Sequence, residues 1–190
     1  MNETAYGRRV FECLNDALAA DEKWLRRQSL ENGIWSIRQY EECWLQYLVL
    51  RKSAGRSDFA LAPEHRTRSF GDRRPVDLLV YGKKEKLIAA IELKGPWLVK
   101  SPRTKSQETR EVLELQARRA GRCRELWVFF LLHASEKRKI DDWQQDARTC
   151  VAKSDIISKD IPMNQDSPRR REIDPKTSTV LRIVGMRVFN

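Results

Sequence analysis

Residues 74 to 94 constrain this chain more than any other stretch. Arg-Pro-Val-Asp-Leu-Leu-Val-Tyr is followed by the turn-rich Gly-Lys-Lys-Glu-Lys and then by Leu-Ile-Ala-Ala-Ile-Glu-Leu-Lys. Apolar runs this close together pair as an antiparallel hairpin, because parallel partners need a crossover of about a dozen residues or more. With Tyr81 opposite Ile88, Lys83 to Lys86 form the turn and Asp77 falls opposite Glu92. Alternation along a strand then places Asp77, Leu79 and Tyr81 on one face of the first strand, and Ile88, Ala90, Glu92 and Lys94 on one face of the second. Two carboxylates and an ammonium therefore meet inside apolar strands, where unpaired charge is costly to desolvate.

Two carboxylates about 4 Å apart repel by about 4 kcal/mol at an effective dielectric near 20, and a bound cation relieves this. Oxygen donors without histidine or thiolate select Mg²⁺ or Mn²⁺, in a site that leaves room for water and substrate phosphate. The cation can polarise a phosphoryl oxygen and acidify water, and a neighbouring lysine can steady the developing negative charge. Those parts suit phosphodiester hydrolysis. Other metal chemistries are short of ligands: only His65 and His133 exist, and Cys13, Cys43, Cys123 and Cys150 lie far apart with no zinc spacing. The thiols read as reduced, in a cytosolic protein.

Around the hairpin the pattern is mixed. Val10, Phe11, Leu14, Leu18, Trp24 and Leu25 repeat at helical spacing over residues 5 to 27, so residues 1–35 form an N-terminal helical extension. Ser36 with Gln39 makes a capping box for a second helix, whose expected apolar stripe is Ile37, Tyr40, Trp44, Tyr47 and Leu48. Glu41 falls inside that stripe and Glu42 outside it. One short strand is expected between Asp58 and Ala62 or between Arg66 and Phe70. Gly95-Pro96 should end the second hairpin strand, since proline has no ladder N–H.

A helix should begin between Ser101 and Ser106 and end at Gly121, carrying Val112, Leu113, Gln116, Ala117 and Ala120 on one side. Leu126 to Leu132 reads as a strand buried on both faces. A further helix from about Ser135 to Ala152 buries Ile140, Trp143, Ala147 and Val151. Residues 153–178 read as a long loop containing Arg169 to Arg171, and Thr179 to Phe189 as a last strand. The expectation is one α/β domain over 1–190, a mixed central β-sheet flanked by helices. The longest strongly apolar run is too short for a bilayer, and the N-terminus has no apolar signal core, so no membrane partner is expected.

Charge points to the partner. The chain has 37 basic and 27 acidic residues, a net charge of +10, which favours polyanions: nucleic acid first, an anionic membrane surface second. Residues 100–124 hold eight basic residues against three glutamates. Lys100, Arg103, Lys105, Arg110 and Arg118 are the candidates for contacts that position a phosphate backbone without reading bases. Trp97 can stack on a base or fill core.

The spacing Pro75-Val76-Asp77, a short hairpin, then Glu92-Leu93-Lys94 resembles the PD-(D/E)xK phosphodiesterase superfamily, which includes many restriction enzymes, recombination nucleases and resolvases. It differs in having Val76 between proline and aspartate. The order helix, strand, strand, helix, strand over residues 36 to 132 matches that family's core. The resemblance implies a restriction-endonuclease-like fold and a Mg²⁺-dependent nuclease (Mn²⁺ also serving), acting on DNA or RNA, DNA first. Asp77 and Glu92 would be metal ligands, Lys94 the catalytic lysine, and Glu41 an accessory ligand from the preceding helix. Gln116 matches a Gln-x-x-x-Tyr helix pattern of many relatives, although Ala120 stands where tyrosine would be. Double-strand cutters of this class often dimerise, so a homodimer is compatible. The rival reading is a non-catalytic nucleic-acid-binding or protein-interaction protein on the same fold, with the charged triad as a structural ion pair.

Overall fold

The computed structural model describes residues 6–32, 42–65, 76–82, 86–99, 102–120, 125–150, 155–161 and 180–188, with side chains at 22–32, 64–65, 96, 102–106 and 117–120 left aside. The elements in chain order are α1 (Tyr6–Asn32), α2 (Glu42–Ser53), β1 (Ala60–His65), β2 (Val76–Tyr81), β3 (Leu87–Leu98), α3 (Pro102–Ala120), β4 (Glu125–Ala134), α4 (Lys137–Ala147), β5 (Ile156–Ile161) and β6 (Val180–Val188). Among the described residues the strands form one sheet in the order β1-β2-β3-β4-β6-β5. β3 and β4 are parallel and the other pairs antiparallel, so the sheet is mixed. The parallel pair is the one joined by a helix, α3, as a parallel connection requires.

β4 shows why its sequence is apolar without alternation: every residue of it is buried. Trp127, Phe129 and Leu131 pack with Val10, Phe11, Leu14 and Leu18 of α1 and with Leu45, Leu48 and Val49 of α2. Val128, Phe130 and Leu132 pack on the other face with Leu113 of α3 and with Ile140, Trp143 and Ala147 of α4. Helices thus cover both faces, and a central strand between two covered faces has no polar side to show. The edge-to-face contacts Phe11–Phe129 and Phe130–Trp143, with ring centroids 5.7 and 5.4 Å apart, sit one on each side.

The hairpin register is as expected over most of its length: Leu78, Leu79 and Val80 pair with Ile91, Ala90 and Ala89. At the turn a bulge shifts it, and Tyr81 pairs with Leu87 where Ile88 was expected. The Gly82 N–H then donates to the Lys86 carbonyl at 2.9 Å and closes the loop.

Several expectations are corrected. β3 does not stop at Gly95-Pro96 but runs on to Leu98. A bulge between Lys94 and Trp97 takes Gly95 and Pro96 out of register, so the missing proline N–H costs no ladder bond. Gly95 has φ +133°, and a Cβ there would stand 2.6 Å from the Leu131 carbonyl oxygen. Only glycine fits. β1 overlaps the first of the two alternatives offered for it and runs past Ala62 to His65, short of the second, and as an edge strand it tolerates Pro63. β5 falls inside the span read as loop: three of its six residues are exposed and it pairs on one side with β6, so its sequence shows little apolar pattern. The box at Ser36 and Gln39, Val151 and the tract Arg169–Arg171 lie outside the described residues.

The apolar stripe of α2 is also corrected. Leu45, Leu48 and Val49 are buried, whereas Trp44 and Tyr47 are exposed and stack on one another at 5.0 Å. Apolar residues occur on every side of this helix, so periodicity does not fix its rotation; the sheet does.

One tie between the helical layer and the sheet was not anticipated. Glu125, buried at the start of β4, accepts with one oxygen, Oε2, from the Gly7 amide at 3.2 Å and from the Trp127 indole N–H at 3.2 Å. Gly7 lies in the first turn of α1, where amides have no intrahelical acceptor and a negative charge is favourable. A Cβ on Gly7 would run into the Trp127 ring, so glycine allows the approach. Glu125→Ala leaves both donors buried and unsatisfied, an expected loss of about 2–4 kcal/mol, whereas Glu125→Gln keeps an acceptor and loses less. Urea unfolding of the two variants checks the order.

Candidate active site

The site is built where β3 outruns β2. Continuing the hairpin register sets Asp77 across from Glu92, as expected, and Lys94 follows on the same face of β3. Glu92 and Lys94 pair with Val128 and Phe130 of β4, which belong to the α3 and α4 side of the sheet. Beyond the start of β2 the edge of β3 is reached from α2 as well.

Lys94 is the centre of the arrangement. Its Nζ lies 2.9 Å from Glu92 Oε1, donates to the Leu93 carbonyl at 2.9 Å, and lies 3.5 Å from Glu42 Oε2. Its side chain is only 18 % exposed and that of Glu92 12 %, against 43 % for Glu42. Burial opposes the charge on Lys94, but Glu92, Glu42 and Asp77 together outweigh it and hold the ammonium above its ordinary pKa. It is a cation at neutral pH.

Asp77 sits at the mouth of the hairpin. Its Oδ2 accepts from the Leu93 amide at 2.6 Å, in the place a strand carbonyl would take, and its own carbonyl accepts from the Gln46 side chain of α2. The structure therefore brings together Asp77, Glu92 and Lys94, and adds Glu42 and Gln46.

Glu42 and Gln46 escaped the sequence reading because the stripe was rotated. Glu42, Leu45, Gln46 and Val49 are spaced i, i+3, i+4 and i+7, one helix face, and the burial of Leu45 and Val49 turns that face to the sheet. Glu42, read as pointing elsewhere, reaches the site. Glu41 lies outside the described residues.

The other candidates are placed as follows. Gln116 is buried in α3, 1 % exposed, not on the helix's solvent side. Arg110 is exposed on α3, and this helix packs on the sheet face that carries Glu92 and Lys94. Arg103, Lys105 and Arg118 belong to α3 with side chains outside the described set, and Lys100 lies outside it altogether. Trp97 packs against Phe130 at 5.2 Å, a core role.

Among the described residues no three histidine, cysteine, aspartate or glutamate side chains are gathered closely enough to hold a metal ion. The donors that are present, two carboxylates on neighbouring strands and a third from α2, are all oxygen. That donor type fits Mg²⁺ or Mn²⁺, which bind through one or two carboxylates with water and substrate oxygens completing the shell. A cavity of about 370 Å³ lies elsewhere, between α4, β5 and β6, and no member of the triad lines it. Among the described residues no helix is long and apolar enough to cross a membrane. Comparison of the chain with family models, curated proteins and solved structures finds no match.

Proposed function

We propose that this protein is a metal-dependent nuclease, hydrolysing phosphodiester bonds of DNA first and RNA second, on a restriction-endonuclease-like fold. The observation that carries the reading is the half-buried ammonium of Lys94 set against Glu92, with Asp77 on the adjacent strand and Glu42 from the preceding helix. The order α2, β2, β3, α3, β4, with an antiparallel hairpin and then a helical crossover to a parallel strand, supports the fold assignment. The excess of 37 basic over 27 acidic residues supports a polyanionic substrate.

Asp77 and Glu92 would hold the cation, and Glu42 is the acidic side chain that α2 brings nearest. When bound, Mg²⁺ or Mn²⁺ polarises a phosphoryl oxygen and makes water a better nucleophile. Lys94 supplies a fixed positive donor for negative charge that develops on the phosphate, in a place partly shielded from solvent. Asp77 also fixes the backbone of Leu93, and with it the spacing between Glu92 and Lys94. Gln46 fixes the backbone of Asp77 in turn.

The rival reading, a binder without catalysis, is favoured by one feature: Lys94 and the Leu93 amide already satisfy much of the acidic group internally. It predicts salt-dependent nucleic-acid binding that is indifferent to metal. The test is an incubation of wild type and Glu92→Gln with single- and double-stranded DNA and RNA, in Mg²⁺, in Mn²⁺ and in chelator. Cleavage by wild type in metal alone, lost in Glu92→Gln, is expected. No cleavage of any substrate, or equal cleavage by the two proteins, removes the nuclease assignment.

A further inference from the structure

We propose that the outward face of α2 is a stacking platform for an unpaired nucleic-acid strand, with Trp44 and Tyr47 taking bases and Arg51 and Lys52 taking the phosphates beside them. It rests on the nucleic-acid part of the proposed function, which the binder without catalysis shares, and it needs no metal.

Among the described residues the large apolar side chains left exposed are Trp44, Tyr47 and Leu115, and the first two adjoin. A helix that buries Leu45, Leu48 and Val49 has no packing need for two aromatic rings on its solvent side. Trp44 is 37 % and Tyr47 47 % exposed, so their mutual stacking, with centroids 5.0 Å apart and planes at 29°, still leaves ring surface in water. The pair is also anchored. The Trp44 indole N–H donates to Asp21 of α1 at 3.3 Å, which ties the polar edge of the ring and limits its rotation. A ring already ordered loses little freedom when a base stacks on it.

Charge identifies the occupant. Trp44, Tyr47 and Arg51 are spaced i, i+3 and i+7, a single stripe about 10 Å long, and Lys52 adjoins its end. Arg9 and Arg56 are both committed to Asp58, whereas Arg51 and Lys52 are exposed and form no ion pair among the described residues. Flat rings followed by uncommitted cations match a polymer that carries both bases and phosphates. An apolar protein partner would use the rings and leave the two cations to be desolvated without a counter-charge. A duplex keeps its bases stacked on one another, so an unpaired strand is the form that can offer a base face to these rings. Glu42, which reaches Lys94, opens the same helix. Because a helix is only about 10–12 Å across, a strand held on the outer face of α2 can send its next segment to the candidate site.

The test is fluorescence anisotropy in chelator, where metal-dependent cleavage is blocked, with short fluorescein-labelled oligothymidylate, oligouridylate and a blunt DNA duplex as probes. Trp44→Ala and Tyr47→Ala are each expected to bind the single strand that wild type binds about tenfold more weakly, with duplex affinity within about twofold of wild type and with Trp44→Phe recovering most of the loss. Arg51→Ala should lower the slope of log affinity against log salt by about 0.7 on a single strand. Trp44→Ala also removes the tie to Asp21; if it does not fold, Tyr47→Ala, which takes away a ring half in solvent, decides.

Single-strand affinity unchanged in Tyr47→Ala overturns the platform and leaves the nucleic-acid reading standing. Equal weakening on single strand and duplex overturns it too, since the rings would then act through the fold and not through unpaired bases. Self-association of wild type that Tyr47→Ala abolishes, with strand affinity kept, assigns the face to a second copy of the chain and overturns the proposal. Absence of binding to any of the probes by wild type at low salt removes the nucleic-acid reading itself, so the two failures are distinguishable.

Discussion

Lys94→Ala is expected to lower the rate of phosphodiester cleavage by about 10²–10³-fold at saturating metal, the usual scale for removing one preorganised donor from developing negative charge. The side chain is 18 % exposed and surrounded by Glu92, Glu42 and the Leu93 carbonyl, so water entering its place does not reproduce a fixed charge. Because its neighbours hold its pKa above the ordinary lysine value, Lys94 acts as a cation and not as a general base. The loss should therefore appear in the single-turnover rate, which reports the chemical step, and much less in nucleic-acid affinity. Far-UV circular dichroism shows whether the variant is folded, since Glu92 loses its Lys94 partner. A single-turnover rate within about threefold of wild type would reduce the lysine to a structural ion pair. The comparison with Lys94→Arg is informative as well: a planar guanidinium keeps the charge but not the compact ammonium geometry, and it should recover only part of the rate.

The parts of the fold that sequence exposes are those where a single physical demand acts. Leu126 to Leu132 must be buried on both sides, and nothing else explains that run. Leu78 to Val80 can meet Ala89 to Ile91 in only one parity if both apolar sets are to be covered. The triad was legible for the same reason, since Asp77, Glu92 and Lys94 are charges in strands that otherwise exclude them. Other features were hidden because two demands compete. In α2, Trp44 and Tyr47 look like core but stack on each other outside, and the expected rotation passed over Glu42, which reaches Lys94. At Gly95-Pro96 the rule that proline ends a strand yielded to a bulge that only glycine can make against Leu131. β5 was missed because Ser158, Lys159 and Asp160 face solvent. Glu125 carries no local signal, since its partner in α1 is 118 residues away in sequence.

Toward the β5 edge of the sheet, Arg182→Met is expected to destabilise the protein less than the pair Asp141→Asn and Asp160→Asn made together. Arg182 lies in β6 with a side chain 7 % exposed, while Asp141 of α4 and Asp160 of β5 remain about half exposed. Its Nη1 donates to Asp141 at 2.6 Å and to Gln144 at 3.2 Å, and its Nε and Nη2 donate to Asp160. The desolvation cost thus falls on the guanidinium, and the carboxylates keep contact with water. Taking away both acids leaves a buried charge uncompensated, at a cost of about 3 kcal/mol or more. Replacing the arginine with methionine keeps the apolar stem and lets two surface acids rehydrate, which should cost under about 2 kcal/mol. The bond from Arg182, and less so the charges of Arg182 and Lys137, hold the Asp160 carboxyl below its ordinary pKa. A carboxyl with a depressed folded pKa stabilises the fold above its unfolded pKa and loses that contribution as pH falls through the folded one. The stability gap between wild type and Arg182→Met should therefore be full at neutral pH and shrink as the solution is taken below the ordinary aspartate range. Urea unfolding at pH 7 and in that acid range measures it. A gap that widens in acid, or an Arg182→Met variant weaker than the double asparagine variant, would show that packing and not the ion network fixes β5 and α4 to β6.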